Sequence, residues 1–275
     1  MDFTLCRYGR GFSLVLCNPL ISILIPIKKF AVVFSLLSFI SSFSVLAQST
    51  PWNFEASSYI WLPESTTGIK TDAGTIDSVL SVGDALDQLD LGVMLTGVIQ
   101  RDKWSLVGDF VYLNLETEEN TPFGTLYSSL ESESTLSILS AYAFYQIYHQ
   151  SNFSIALGAG ARAVDSEVRI MLMPGLLPSH SESISDDWID PLLAIRLFGQ
   201  LSEKWSASLI IDAGGFGAGS ASDSTWQAVT LIAYQLTDSW LLRGGYRHLD
   251  IDRQADGQLY DFKMTGVLFG FSYRF

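Results

Sequence analysis

From residue 52 onward, large apolar side chains recur at every second position in one stretch after another. A period of two marks a β-strand with one apolar face and one small or polar face. The pattern is clearest over 260–275, where Val267, Phe269, Phe271, Tyr273 and Phe275 alternate with Gly266, Leu268, Gly270, Ser272 and Arg274. Residues 89–100 repeat it, with Leu89, Leu91, Val93, Leu95 and Ile99 opposite Asp90, Gly92, Met94, Thr96 and Gln100. Extended over the chain, the alternation predicts strands at 52–62, 89–100, 104–116, 135–148, 153–171, 187–201, 205–217, 225–236, 240–250 and 260–275. Pro63 is expected to end the first strand. The stretches 64–88, 117–134, 173–185 and 252–259 read as loops, the first with a short helical turn over 84–88.

Short turns at 101–103, 149–152, 202–204 and 237–239 alternate with mostly longer connections, and an aromatic follows each of them: Trp104, Phe153, Trp205 and Trp240. About ten strands, with eight to twelve as the bracket, joined this way predict an all-β, up-and-down antiparallel barrel of the transmembrane kind. The four aromatics would then form a girdle at the inner membrane–water boundary, with the short turns in the periplasm and the long loops outside. The final Phe275, on the apolar face with Tyr273 and Phe271, resembles the closing strand of outer-membrane barrels, whose terminal aromatic serves as the assembly signal. Composition agrees: 48% of the chain is hydrophobic and only 16% charged. Beyond residue 47 no apolar run approaches the ~20 residues of a membrane helix, so the apolar content is spread by alternation.

Ahead of the strands, Lys28 and Lys29 precede the apolar run 30–43 and the site Ser44-Val45-Leu46-Ala47. That is the form of a signal peptide cut before Gln48, giving an upstream extension plus signal peptide over 1–47 and a barrel over 48–275. Residues 1–27 make the leader too long. A start at Ile27 restores an ordinary length, and a retained membrane anchor is the rival reading. Cys6 and Cys17 both fall in that stretch, so the barrel is expected to hold neither a disulfide nor a thiolate metal site. The chain has a formal charge of −13; without Arg7, Arg10, Lys28, Lys29 and Asp2 it keeps 12 basic and 28 acidic residues, a net of −16. An acidic surface argues against a nucleic-acid partner.

Alternation places Asp90, Asp109, Arg162, Asp190, Arg196, Asp212, Arg243, Arg247 and Arg274 opposite the apolar face, hence in the lumen. Such charges either select solutes in a pore or pair with one another to fill the interior, and in a narrow barrel pairing is expected. His149 falls in a turn, and His180 in a loop beside Ser179, Ser181 and Glu182, with nothing to fix a triad. His248, Asp250 and Asp252 share one face at the outer end of a strand, which invites comparison with the barrel-mouth Asp and His of omptin-type proteases. The parity of His248, however, is that of Trp240, Leu242 and Tyr246, the lipid-facing set. The run Gly214–Ser220 ends a strand and opens no helix, so it is not a nucleotide loop. Glu116, Glu118, Glu119, Glu131, Glu133, Glu182, Asp186 and Asp187 make the loops acidic; they could take divalent cations or stay solvated.

Several motifs taken together resemble a family of uncharacterised proteobacterial outer-membrane β-barrel proteins. They are Ala85-Leu86-Asp87-Gln88-Leu89-Asp90-Leu91-Gly92, Gly108-Asp109-Phe110-Val111-Tyr112, Trp188-Ile189-Asp190-Pro191 with Arg196 and Trp205, Asp212-Ala213-Gly214-Gly215-Phe216-Gly217, Trp226-Gln227, Gly245-Tyr246-Arg247-His248-Leu249 and the terminal Phe275. The loops and residues 1–27 depart from the pattern. The resemblance implies fold and compartment and transfers no catalytic residue. The expected partners are the lipid bilayer, lipopolysaccharide and the barrel-assembly machinery, with a small solute or a divalent cation as further candidates and no cofactor. The expected role is non-enzymatic, a narrow pore or a structural surface barrel. The alternatives are an outer-membrane protease or lipid hydrolase, and an adhesin or receptor using acidic outer loops.

Overall fold

The computed structural model describes residues 51–71, 74–120, 126–255 and 258–275. Residues 1–47, read above as upstream extension and signal peptide and containing Cys6 and Cys17, lie outside the described residues. The elements in chain order are β1 (Asn53–Thr71), β2 (Gly74–Leu80), α1 (Val82–Gln88), β3 (Leu89–Arg101), β4 (Trp104–Asn120), β5 (Tyr127–Gln150), β6 (Phe153–Pro174), β7 (His180–Gln200), β8 (Trp205–Gly215), β9 (Ser224–Gln235), β10 (Trp240–Ala255) and β11 (Gln258–Arg274). Ten of the eleven strands form a closed antiparallel ring, because β11 returns to pair with β1 from Glu55↔Arg274 to Lys70↔Leu259. The eleventh, β2, folds back on the upper part of β1 and continues the wall above β3.

Alternation sorts the two faces as a barrel needs. Leu193, Phe269 and Phe271 point outward and are 63%, 58% and 54% exposed, whereas their neighbours Leu192, Leu268 and Ser272 are buried inside. The interior holds two apolar clusters. One, toward the long connections, is built on Trp61, Val111, Ile138, Leu249 and Met264. The other, toward the short turns, is built on Val107, Phe144, Ala156 and Leu192. Opposite Pro63 only glycine fits: a Cβ on Gly266 would lie 2.0 Å from the Leu62 carbonyl oxygen across the ladder.

Pro63 does not end the first strand. It stands opposite Gly266 and β1 runs on to Thr71. Pairing of β1 with β3 stops at Ser58 and pairing with β2 starts only at Ser65, so between them β1 has a neighbour on the β11 side alone. The Trp61 N–H points into this gap and donates to the Met94 sulfur at 2.9 Å. Residues two apart point the same way, so the nitrogen of Pro63 faces the open side, as on an edge strand.

The loops are shorter than the polarity of their sequences suggests. β4 reaches Asn120, β5 starts at Tyr127, β6 reaches Pro174 and β7 starts at His180. Residues that read as solvated loop, such as Glu118 and Glu131, instead form strand and pair with each other across the β4–β5 ladder. Wall height is therefore uneven: β5, β6 and β7 have 24, 22 and 21 residues, but β8 and β9 only 11 and 12.

Replacing Met94 with Leu keeps the bulk and removes the acceptor of the buried Trp61 N–H. Urea unfolding of the folded barrel in micelles should show a loss on the order of 1–3 kcal/mol; an unchanged midpoint would mean that the sulfur contributes no bond.

Candidate functional site

Inward parity brings Tyr59, Thr96, Asp109, Tyr142, Arg162, Asp212, Gln227 and Arg247 from eight strands into the middle of the ring, where most of them form two similar triads. In the first, Tyr59 on β1 donates to Asp109 Oδ1 on β4 at 2.7 Å. Arg247 on β10 donates through Nη1 to Asp109 Oδ2 at 2.8 Å and to the Tyr59 hydroxyl at 3.0 Å. Thr96 adds a donor to Asp109 at 2.8 Å, and the Arg247 guanidinium lies 4.6 Å over the Trp61 ring.

In the second triad, Tyr142 on β5 donates to Asp212 Oδ2 on β8 at 2.8 Å. Arg162 on β6 donates through Nη2 to Asp212 Oδ1 at 2.8 Å and to the Tyr142 hydroxyl at 3.3 Å. Its other nitrogens reach Ser140 at 3.2 Å and Thr225 at 2.8 Å. Gln227 on β9 joins the triads: its amide donates to Asp212 at 3.0 Å, and its carbonyl accepts from Arg247 Nε at 2.8 Å. Both side chains of the Arg162–Asp212 pair are fully buried. Two guanidiniums face two carboxylates, so the layer balances its own charge between the two apolar clusters.

Further charges close the two ends. Toward the short turns, Glu55 holds Arg243 and, at 3.0 Å, Arg274, while Arg196 donates to Ser105 at 2.8 Å and lies over Phe144. A cavity of about 80 Å³ remains on this side, lined by Ser57, Thr96, Asp109, Arg243, Arg247 and Ser272 among others. Toward the long connections, buried Asp190 accepts from the Ser222 backbone N–H at 2.7 Å and its hydroxyl at 3.0 Å. Arg253 grips Asp186 at 2.8 and 3.0 Å and donates to the Ser220 carbonyl, drawing the turn after β8 over the mouth.

Of the charges expected in the lumen, Asp109, Arg162, Asp212 and Arg247 meet in the central layer. Asp190, Arg196, Arg243 and Arg274 hold the ends. Asp90 departs from its expected place: it sits where the β3–β4 register shifts between Leu89 and Leu91, and it is exposed outside the buried layer. The bulge breaks the alternation on which its placement rested. The expected lumen set also leaves out Tyr59, Tyr142, Gln227, Glu55 and Arg253, and it reads Asp186 as a loop acid. The first three are uncharged, and only their inward parity could have drawn attention to them.

Trp104, Phe153, Trp205 and Trp240 all face outward, 57%, 41%, 47% and 43% exposed, and each packs on a tyrosine: Tyr145, Tyr148, Tyr234 and Tyr273. His149 is exposed at the end of β5, and His180 sits 3.1 Å from Glu182, also exposed. His248 faces out as its parity predicts, with its ring 4.5 Å from Trp226 and Nδ1 2.6 Å from the Thr265 hydroxyl. Beyond it, Asp250, Asp252 and Asp261 converge, and Lys263 places its ammonium 2.7 Å from both oxygens of Asp261 and 3.9 Å from Asp250. The lysine thus takes the place that a cation would occupy.

The outer membrane protease OmpT of Escherichia coli shares this fold, with a TM-score of 0.53 at 10% identity over 85% of this chain and 100% of that one. The translocator domain of the autotransporter NalP from Neisseria meningitidis aligns at 0.43, with 12% identity over 92% and 97% of the two chains. Ail, the attachment invasion locus protein of Yersinia pestis, aligns at 0.33, with 10% identity over 82% and 100%. No protein-family model matches the chain, and no curated protein matches it in sequence. At these identities the likeness concerns the fold alone.

Arg162→Ala leaves the buried Asp212 carboxylate without its cation and should cost roughly 3–5 kcal/mol in urea unfolding. The double replacement Arg162→Met with Asp212→Leu removes both charges and should cost clearly less than Arg162→Ala. Equal losses would show that the orphaned Asp212 carboxylate carries no penalty of its own.

Proposed function

We propose that this protein is a non-enzymatic barrel of the bacterial outer membrane with a closed lumen, a structural or surface barrel rather than an open pore. The observation that carries the reading is the central layer: Arg162, Asp212 and Arg247 are buried, bonded to one another through Tyr142 and Gln227, and packed between apolar clusters. An open pore would leave such groups in water. The outward aromatics at the short turns would mark the periplasmic boundary, and Phe271, Tyr273 and Phe275 would serve the assembly machinery. Resemblance to the uncharacterised proteobacterial family of outer-membrane barrels supports the same compartment, with bilayer lipid and lipopolysaccharide as partners. The outward face of His248 supports a non-enzymatic role over an omptin-like one.

Strand length orients the molecule. At about 3.3 Å per residue and a tilt near 40°, 11 residues of β8 rise roughly 28 Å, enough for an apolar band of about 25 Å. The 22 residues of β6 rise roughly 55 Å, so the β4–β7 wall would stand well clear of the outer surface. A narrow pore is the second reading, favoured by the polar cavity beside Arg243 and Arg247.

Planar-bilayer recording on the folded barrel, with heat-modifiable gel migration to show folding, decides between them. The wild type is expected to be silent, and Arg162→Ala combined with Arg247→Ala is expected to conduct. Reproducible ion-selective steps from the wild type would replace the closed barrel with the narrow pore.

A further inference from the structure

The uneven wall leaves one strand half paired. β7 is bonded to β6 along residues 180–199 but to β8 only along 192–200. On the β8 side of residues 180–191, no strand pairs among the described residues. The turn after β8 does not cover this edge. It bends inward and is joined to the lower half of this edge through Ser222 on Asp190 and through Arg253, which holds both Ser220 and Asp186. Above that tether residues 180–185 are all exposed, Ile184 to 71%.

An open edge presents alternate N–H and C=O groups to any extended chain, and proteins guard such edges with lysine, proline or bulges. Pro191 closes the base of this edge; above it, from 180 to 190, the sequence is His-Ser-Glu-Ser-Ile-Ser-Asp-Asp-Trp-Ile-Asp, with neither lysine nor proline, and the β6–β7 register is unbroken. The charges it does carry are negative. The sheet behind it adds more: Glu116 faces Glu133, and Glu118 faces Glu131, directly across the β4–β5 ladder, an arrangement that costs stability. Arg169, bonded to Glu133 and Glu167, offsets only part of this.

We propose that the 180–191 edge of β7 is a strand-addition site for an extended, cationic polypeptide segment outside the cell. Backbone pairing supplies the affinity, and lysine or arginine at alternate positions meets Glu182 and its acidic surroundings, with an apolar residue over Ile184. A second copy of the chain fits poorly, because two acidic edges would repel. The extracellular placement rests on the closed outer-membrane barrel proposed above; the pairing geometry does not.

The test uses the folded full chain in zwitterionic micelles and a fluorescein-labelled ten-residue peptide alternating lysine and valine. Anisotropy reports binding, and hydrogen exchange reports protection of residues 180–191. The expected result is saturable binding with new protection on that edge. A fully N-methylated peptide of the same sequence, unable to donate backbone hydrogen bonds, should bind on the order of tenfold or more weakly. A glutamate–valine peptide should not bind, and Glu182→Gln should weaken the lysine peptide several-fold. Equal binding of the N-methylated peptide, protection elsewhere than 180–191, or no binding at millimolar peptide would each overturn the proposal. Heat-modifiable migration and bilayer recording of the same preparation report separately on the barrel, so failure of the edge and failure of the closed-barrel reading give different results.

Discussion

Two guanidinium–carboxylate pairs withdrawn from water hold the interior of this barrel together. Arg162 with Asp212 and Arg247 with Asp109 would each be costly alone in a dry lumen. What makes them tolerable is the rest of the layer: two tyrosine hydroxyls, each donating to its aspartate and accepting from its arginine, and Gln227 spanning the space between them. Every member comes from a different strand or an opposite side of the ring. The layer therefore ties the circumference across its diameter, where the backbone ladders act only along the wall. Its net neutrality is also what allows apolar clusters to close over it on both sides.

Much of this architecture is legible in the period-two pattern, because one wall face meets lipid or solvent and the other the interior. The ten ring strands and the outward row of Trp104, Phe153, Trp205 and Trp240 follow from it directly, as does the outward direction of His248. What the pattern misses has physical reasons. Pro63 looks like a strand end because sequence does not show that β1 lacks a neighbour on one side there. Glu116, Glu118, Glu131 and Glu133 look like loop because like charges are not expected to face one another in a ladder. Asp90 falls on a bulge, which shifts register without a mark in the residue types. The central layer is half legible: its charges are visible, but Tyr59, Tyr142 and Gln227 gain meaning only when seven strands meet.

Unequal strand length is a second organising fact. Short β8 and β9 end near the level at which the β4–β7 wall is only half finished. The turn after β8 is consequently free to fold inward, where Gly215, Phe216 and Gly217 adopt positive φ of 78°, 56° and 61° and deliver Ser222 to Asp190. One shortened hairpin thus both caps the lumen and uncovers the flank of its neighbour.

The junction of β1 with β3 is held by six residue pairs, against sixteen between β1 and β11. The first strand is thus fastened chiefly to β11, its most distant partner in sequence, so the ring closes through its least local contacts. Once closed, the wall is mechanically anisotropic. Sideways strain on the wall would fall first on the short β1–β3 seam, above which the Trp61 backbone N–H donates to the Met94 sulfur, and that line is where the cylinder would part first.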